Sequence, residues 1–583
     1  MAMVGIDLGT TNSLAAVWKD GKSVLIPNEF GEVLTPSVVS LDESGEQIYV
    51  GAVAKERLAT YPDLTAFQFK RSMGIDRTFQ LGKRNFQAEE LSTLVLRKLK
   101  EDAERYLGEP IEEAIISVPA YFDDKQRSAT KRAGELAGFK VERLINEPSA
   151  AALMTRMGMM ERNCSILVFD FGGGTLDVSL VECFENVVNV LAISGNNQLG
   201  GSDFDKAISE YFCYKNGLSF NHLKEKEKRR LLAQSENAKQ RLTEDTETTL
   251  SVLINKDTYE LKIDRETLVH ICTDIFAKIE TVIRKVLMDS GVDLEEIDEV
   301  IMVGGSSKMP VVKQYVQYLL PECHIRAESP DTAIALGVGV YSGIKSRRHD
   351  IKDMVIMDIC PFSLGVDVYN ESMQYNPLMG FIIERNTPLP CVRMERFYTV
   401  KDYQTQIGVN IYQGESRYAK ENLKLAETTV KIPSRLKGEE PVTVTFAYDI
   451  NGILIVEIEV ESTGTKTELV LEGRGDMTEE EKARRMEYLR NLKRPGEEPE
   501  VLLLLERGRR LYEEMNGPAR EQLGEMLKHF EKTVRSNSIL KQQKEKQQLK
   551  EYLDYLEVKK DRLPVRKFTL NWYDEKDDEK DSL

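Results

Sequence analysis

The sequence predicts a multidomain fold: a two-lobed α/β domain, then an antiparallel β-sandwich, then a short α-helical segment. Three observations lead there. Up to about residue 350, apolar runs ending in glycine turns alternate with helical stretches such as 225–243 and 265–290. From 359 to 473 the apolar spacing has period two, as in Val456, Ile458 and Val460 alternating with glutamates. Beyond Thr478 the spacing becomes helical, through Leu503, Leu511, Met515, Leu523, Met526, Phe530 and Val534.

Within the first region two stretches share one plan. Met3-Val4-Gly5-Ile6 leads into Asp7, and Gly9, Thr10, Thr11 and Asn12 follow; Ile166-Leu167-Val168-Phe169 leads into Asp170, and Gly172, Gly173, Gly174 and Thr175 follow. Each reads as a buried strand that delivers a carboxylate and then a turn of bare N–H groups, the arrangement that cradles phosphate oxygens. Paired turns of this kind predict two lobes gripping one nucleotide. A third strand, Val300-Ile301-Met302-Val303, runs into Gly304-Gly305-Ser306-Ser307 and then a helix opening at Lys308-Met309-Pro310, a further anion or flat-ligand site.

In the second region Val442, Val444 and Phe446 form another alternating strand, joined to 456–460 by Asn451-Gly452, a hairpin signal. Several such strands in succession make a sandwich. Thr478-Glu479-Glu480-Glu481 has the form of a capping box, and 495–499 interrupts the helices once. After about 562 the chain is acidic and lysine-mixed, a composition that predicts disorder.

Composition excludes several classes. A net charge of −17 argues against nucleic-acid binding. Seven scattered cysteines without C-x-x-C spacing read as inert thiols in a reducing compartment. No leader precedes the first strand and no apolar run approaches ~20 residues, so the expectation is a cytoplasmic protein without a membrane span. The absence of G-x-x-x-x-G-K-[ST] and H-E-x-x-H removes P-loop and zincin readings.

The order of the three glycine turns resembles the nucleotide-binding core of actin, sugar kinases and the seventy-kilodalton heat-shock chaperones. Val118-Pro119-Ala120-Tyr121-Phe122, 145–151, 199–205, Val303-Gly304-Gly305-Ser306 and Ser329-Pro330-Asp331 resemble the heat-shock branch, of DnaK type, over residues 1 to about 475. The resemblance implies an actin-like ATPase domain at 1–350, an interdomain linker at 351–358, a peptide-binding sandwich at 359–475, a helical lid at 476–562 and a flexible tail at 563–583. The linker contains Met354-Val355-Ile356-Met357-Asp358, which on composition alone is one more strand. In the family it docks on the ATPase domain in one nucleotide state and is released in the other.

The same resemblance assigns roles. Asp7 and Asp170 would sit near one Mg²⁺, largely through waters, with Asp177 a further acid. Glu147 would lie near the metal and attacking water, and Lys70 would orient that water. Thr175 and the two glycine turns would hold phosphates. Glu236 and Lys239, on one helix face, would contact the adenosine, with Gly304, Gly305, Ser306 and Asp331 completing the pocket; Gly200, Gly201 and Lys308 are further nucleotide-binding candidates. Gln240 and Lys308 stand where relatives often have base-stacking arginines, and neither has a guanidinium plane, so adenine binding could be weaker. Val366, Val368, Phe397, Ile407 and Val409 match the peptide pocket, with Tyr369 and Val400 as its arch. Pro119 and Arg127 match residues that relay nucleotide state.

Plainer readings stand beside these. An aspartate before glycine is often a turn former, Lys70-Arg71 a solvated face, and period-two apolar residues ordinary sandwich core. The short 74–86 and 243–262 segments, the abbreviated lid and the Asp581-Ser582-Leu583 ending look more like the HscC-type bacterial branch. They predict fast peptide exchange and leave the exchange factor open. The expected function is an ATP-hydrolysing chaperone for unfolded or extended apolar segments, with a J-domain partner implied. A regulatory binder of one native partner is the alternative, and a metabolite kinase on the same core leaves the C-terminal regions without a role.

Overall fold

The computed structural model describes residues 2–158, 163–255, 257–327, 329–346, 354–369, 377–450, 452–471, 479–492, 495, 498–515, 518–534 and 539–561. They divide into two compact units, 1–496 and 497–583. Among them no helix is long and apolar enough to cross a membrane.

Two sheets with one strand plan form the α/β part. In the first the order is Lys140–Asn146, Ile111–Val118, Ala2–Asp7, Asn12–Lys19, Lys22–Leu25, with Thr35–Pro36 added beside Asn12–Lys19. In the second it is His324–Arg326, Glu299–Val303, Cys164–Phe171, Leu176–Phe184, Val187–Asn196, Val355–Met357. Each aspartate-bearing strand has a parallel neighbour on one side and an antiparallel hairpin partner on the other. Strands enclosed in this way are buried on both faces, which is why their sequences read as continuous apolar runs.

The expected helix over 225–243 is Glu225–Glu244. The stretch over 265–290 is not one helix but two, Arg265–Ile271 and Thr273–Ser290, broken at Cys272. The Thr273 hydroxyl donates to the His270 carbonyl at 2.8 Å, a local side-chain bond that competes with helix continuation.

The sandwich has two four-stranded antiparallel sheets. One runs Leu378–Ile383, Leu364–Val368, Gln406–Gln413, Leu423–Lys431; the other runs Cys391–Tyr398, Pro441–Tyr448, Leu454–Val460, Thr465–Leu471. The alternating residues Val442, Val444, Phe446, Val456, Ile458 and Val460 all point into its core. The Asn451-Gly452 signal yields a longer loop than a two-residue turn: Asp449 N–H donates to Ile453 at 3.0 Å, and Asn451 lies outside the described residues.

Val355–Met357 pairs parallel to Val187–Asn196 and extends the second sheet. Several contacts join the sandwich to the α/β part. The Arg385 guanidinium donates to both oxygens of Asp289 at 2.6 and 3.0 Å and to Glu415 at 3.0 Å. Phe362 packs on Tyr121 at 4.5 Å, and the Ser149 hydroxyl donates to Asp358 at 2.6 Å. Gln413 accepts from the Asp124 N–H at 3.1 Å. The helix Glu479–Arg490 belongs to this unit: Leu489 and Leu492 join the first lobe's core, and Arg485 pairs with Glu90 at 2.7 Å. The capping-box residue Thr478 and the start of the expected linker, 351–353, lie outside the described residues, as does the tail 563–583.

The second unit holds Pro499–Glu514, Pro518–Val534 and Ile539–Asp561, packed around Leu504, Leu511, Leu523 and Phe530. Leu504 rather than the expected Leu503 faces this core, because Val501, Leu504 and Leu511 share the stripe set by 3.6 residues per turn.

Burial, with Asp123 beside it, pushes the Asp124 carboxyl up to about 7, and Arg127 opposes the shift. A solvated Asp124 would titrate near 3.8. The packed state therefore holds the proton more tightly, and its stability falls as pH rises through that window. Thermal melting of wild type and Asp124→Asn between pH 4 and 8 should show wild type losing ground steadily up to about pH 7; parallel profiles would refute it.

Candidate functional site

The two glycine turns meet face to face. A β-carbon on Gly173 would fall 1.9 Å from the Thr11 hydroxyl, so only glycine permits the approach. The first turn is held from behind by Ser37, whose hydroxyl donates to Gly9 and whose N–H donates to Thr11, both at 2.8 Å. The second is held by Gly201 and Ser202, whose N–H groups donate to Gly172 and Gly173 at 3.0 Å, and by the Ser306 hydroxyl at 2.8 Å from Gly172 O.

Behind the turns lies a cluster of buried carboxylates. Asp7 accepts from the Ser117 hydroxyl at 2.9 Å, and Asp177 accepts from the Tyr121 N–H at 3.0 Å. Glu147 accepts from Lys70 at 2.9 Å, with both side chains nearly sealed from solvent. Burial and then the charge of Glu147 push Asp7 up to about 7, against Lys70 and Ser117. The same two causes raise Asp177 to about 7, and burial with Glu147, Asp177 and Asp7 nearby raises Asp170 well above its ordinary value.

One oxygen each of Asp170 and Asp177 is buried without a hydrogen-bond partner. Such oxygens fit a cation or its water shell. Among the described residues no group of three or more His, Cys, Asp or Glu side chains could hold a metal ion directly. Mg²⁺ keeps several waters and takes one or two carboxylates together with phosphates, a donor set that these orphaned oxygens fit. Asp7 and Asp170, at the ends of equivalent strands, are the residues that would hold it.

A cavity of about 670 Å³ opens from these groups between the lobes. It is lined by Asp7, Gly9, Thr10, Thr11, Asn12, Lys70, Glu147, Asp170, Gly172, Gly173 and Thr175. Glu236, Lys239, Gln240, Gly304, Gly305, Ser306, Lys308 and Asp331 line its other end. Gly174, Gly200 and Gly201 do not line it. A β-carbon on Gly200 would sit 2.4 Å from Gly174 N, so Gly200 packs against the phosphate-type turn, while Gly201 packs against Ser306 and Lys239.

At the far end Lys239 pairs with Asp205 at 2.7 Å and donates to Gly201 O at 2.9 Å. Lys308 pairs with Asp331, and the Gln240 amide reaches Glu236 at 3.4 Å. The end is thus edged by paired polar groups.

Two contributors were not legible as site residues. Arg71 reaches across the lobes, donating to Gly174 O at 2.8 Å and to Asp203 at 2.7 Å. Arg229 lies 4.4 Å over the Phe67 ring, joining the lobes at the cavity's mouth. A basic residue beside the expected lysine was the one available signal for Arg71; nothing local marks Arg229.

In the sandwich, Val366 and Val409 are buried in the core, while Val368, Phe397 and Ile407 pack partly exposed on it. Tyr369 and Val400 are exposed. Arg127 donates to the carbonyls of Ala120 and Phe122 and to Asn146 at 2.6 Å, so it braces the turn that follows Pro119.

Replacing Asp177 by Asn keeps an acceptor for Tyr121 and removes one buried charge. The metal-free protein should melt higher by an amount equivalent to about 1–3 kcal/mol, and the further rise caused by Mg²⁺ with nucleotide should shrink. A variant that melts lower in both conditions would show that the carboxylates are not repelling one another.

Two strand-borne aspartates, facing glycine turns and a buried lysine–glutamate pair agree with a family match. The family described as Hsp70 protein matches residues 3–81 and 75–577. The match spans nearly the whole sequence, and the chain belongs to the Hsp70 family of seventy-kilodalton heat-shock chaperones.

Proposed function

We propose that this chain hydrolyses ATP in the cavity between its lobes and uses the nucleotide state to change the sandwich's grip on extended apolar polypeptide. The family is one of ATP-dependent chaperones that work on unfolded polypeptides with J-domain co-chaperones. The assignment of steps to residues is our reading.

Phosphoryl transfer to water needs fixed phosphates, neutralised charge and an oriented nucleophile. The two turns offer backbone N–H groups for the phosphates. Bound Mg²⁺ would offset charge on the phosphate oxygens. Lys70, held by Glu147, is placed to orient water at its ammonium, while the Glu147 carboxylate accepts a hydrogen bond on the same side. Val366, Val368, Phe397, Ile407 and Val409 would receive an apolar side chain, beneath Tyr369 and Val400. The compact strand pairs Thr78–Leu81 with Arg84–Gln87 and Glu247–Ile254 with Asp257–Asp264 fit our suggestion of the HscC-type branch.

The observation that carries the coupling is one short turn. Within residues 119–123, Tyr121 gives its N–H to Asp177 in the carboxylate cluster and its ring to Phe362 of the sandwich. A shift at the cluster therefore moves a residue that touches the second domain. Val355–Met357, paired in the ATPase sheet, is the segment we take as the docked linker. Coupling is reciprocal: if ATP weakens peptide binding, peptide weakens ATP binding by the same factor.

Release of a fluorescent apolar peptide should be much faster with ATP than with ADP. In Lys70→Ala, ATP turnover should fall by about 10²-fold, the scale of one electrostatic or proton-transfer contact, while ATP still triggers release. Equal release rates in both nucleotides would overturn the proposal and leave the sandwich a fixed docking module.

Arg385→Ala should leave hydrolysis in the separated ATPase reaction chemically intact but loosen the sandwich. ATP-triggered peptide release should then be blunted, and restoring charge with Arg385→Lys should recover only part, because lysine cannot bind Asp289 in bidentate fashion. Undiminished release would remove this ion pair from the switch.

A further inference from the structure

All seven cysteines are buried and free, yet two are unlike the rest. Cys164 and Cys183 stand directly opposite each other on neighbouring antiparallel strands, paired in register. Opposed residues in such a ladder have α-carbons about 4.5–5.5 Å apart, within the range that a disulfide spans. We propose that Cys164 and Cys183 are a peroxide-reactive dithiol, a modification site that closes reversibly to a cross-strand disulfide.

Several observations favour reaction at Cys164. It opens its strand, beside exposed Asn163, so it is the sulfur nearer solvent. The facing Cys183 thiol, aided by the Arg156 guanidinium and opposed by burial and Asp298, lowers the Cys164 thiol to about 7. Arg156 is fixed there by donating to the Glu185 carbonyl at 2.5 and 3.2 Å. Cys183 is pushed up instead, first by the facing Cys164 and then by burial. A thiolate facing a protonated thiol is the pairing that disulfide closure needs.

The chemistry balances with hydrogen peroxide as oxidant. The Cys164 thiolate attacks one peroxide oxygen, the O–O bond breaks, and hydroxide leaves, giving a sulfenic acid. The Cys183 sulfur then displaces that oxygen as water, forming the S–S bond and losing its proton. Two thiols are oxidised and one peroxide is reduced to two waters. Cys360 lacks these features: its thiol donates to the Phe362 carbonyl at 3.0 Å, and burial raises it.

The test uses the full-length protein. It is treated with hydrogen peroxide, alkylated under denaturing conditions, digested and mapped by mass spectrometry. The expected product is one peptide pair joined through Cys164 and Cys183, lighter by two hydrogens and separated by dithiothreitol. In Cys183→Ala no cross-link should form at Cys164. In untreated native protein, iodoacetamide should modify Cys164 about tenfold faster than Cys323, following thiolate character. Recovery of both cysteines fully alkylated after peroxide, or cross-links no more frequent than at other pairs, would overturn the proposal. The unmutated protein decides the matter even if Cys183→Ala folds poorly.

Discussion

A cluster of four buried carboxyl groups at the meeting of the two sheets governs this molecule. Asp7, Glu147, Asp170 and Asp177 are all buried, and Lys70 is the cation that bonds directly to one of them. Carboxylates removed from water cost several kcal/mol each unless paired, an order-of-magnitude figure. Asp7 comes from the first sheet, Asp170 and Asp177 from the second, and Glu147 from the helix Glu147–Gly158. Bringing the lobes together therefore concentrates carboxyl groups that repel one another as they ionise, and a cation held among them would relieve that. A ligand that interacts differently with open and closed arrangements is what shifts such an equilibrium.

The same cluster explains why ordinary packing contacts matter at a distance. Asp177 holds the Tyr121 backbone, and Arg127 holds the two residues flanking it while anchored to Asn146, the neighbour of Glu147. The turn is thereby tied to the carboxylates at two points. On its outer side it meets Phe362, while Asp124, one helix step on, meets Gln413. These contacts form a continuous chain of packed and hydrogen-bonded groups between the two regions, along which a coupling would run.

Much of this was legible in the sequence because it is written locally. Asp7 and Asp170 end apolar runs, and each is followed by glycine and threonine in one repeated plan. The alternating residues of the sandwich declare their inward face in the same way. What escaped depends on residues far apart in the chain. Arg71 gains its partner from Asp203, and Arg229 its ring from Phe67, through folding alone. Gly200 and Gly201 sit in a motif that suggests ligand contact, but Gly200 approaches Gly174 closely and Gly201 packs against Ser306 and Lys239. Cys272 breaks a helix where the apolar period continues unbroken, because a side-chain hydrogen bond carries no hydrophobic signature.

The segment 354–359 is a short strand with little burial of its own. Met354 and Ile359 are buried in the core shared with the second sheet, and Ile356 packs against it, while Val355 and Met357 face outward. Burying three such side chains contributes at most about 5–9 kcal/mol. Ordering the backbone of these residues costs about 6–12 kcal/mol, and edge hydrogen bonds return about 1 kcal/mol each. The sum lies near zero, so the strand does not dock on its own strength. Arg385 with Asp289, Phe362 on Tyr121 and Asp358 under the Ser149 hydroxyl supply the remainder. A segment balanced this closely responds to small changes at any of those contacts, and the contact through Tyr121 begins at the carboxylates.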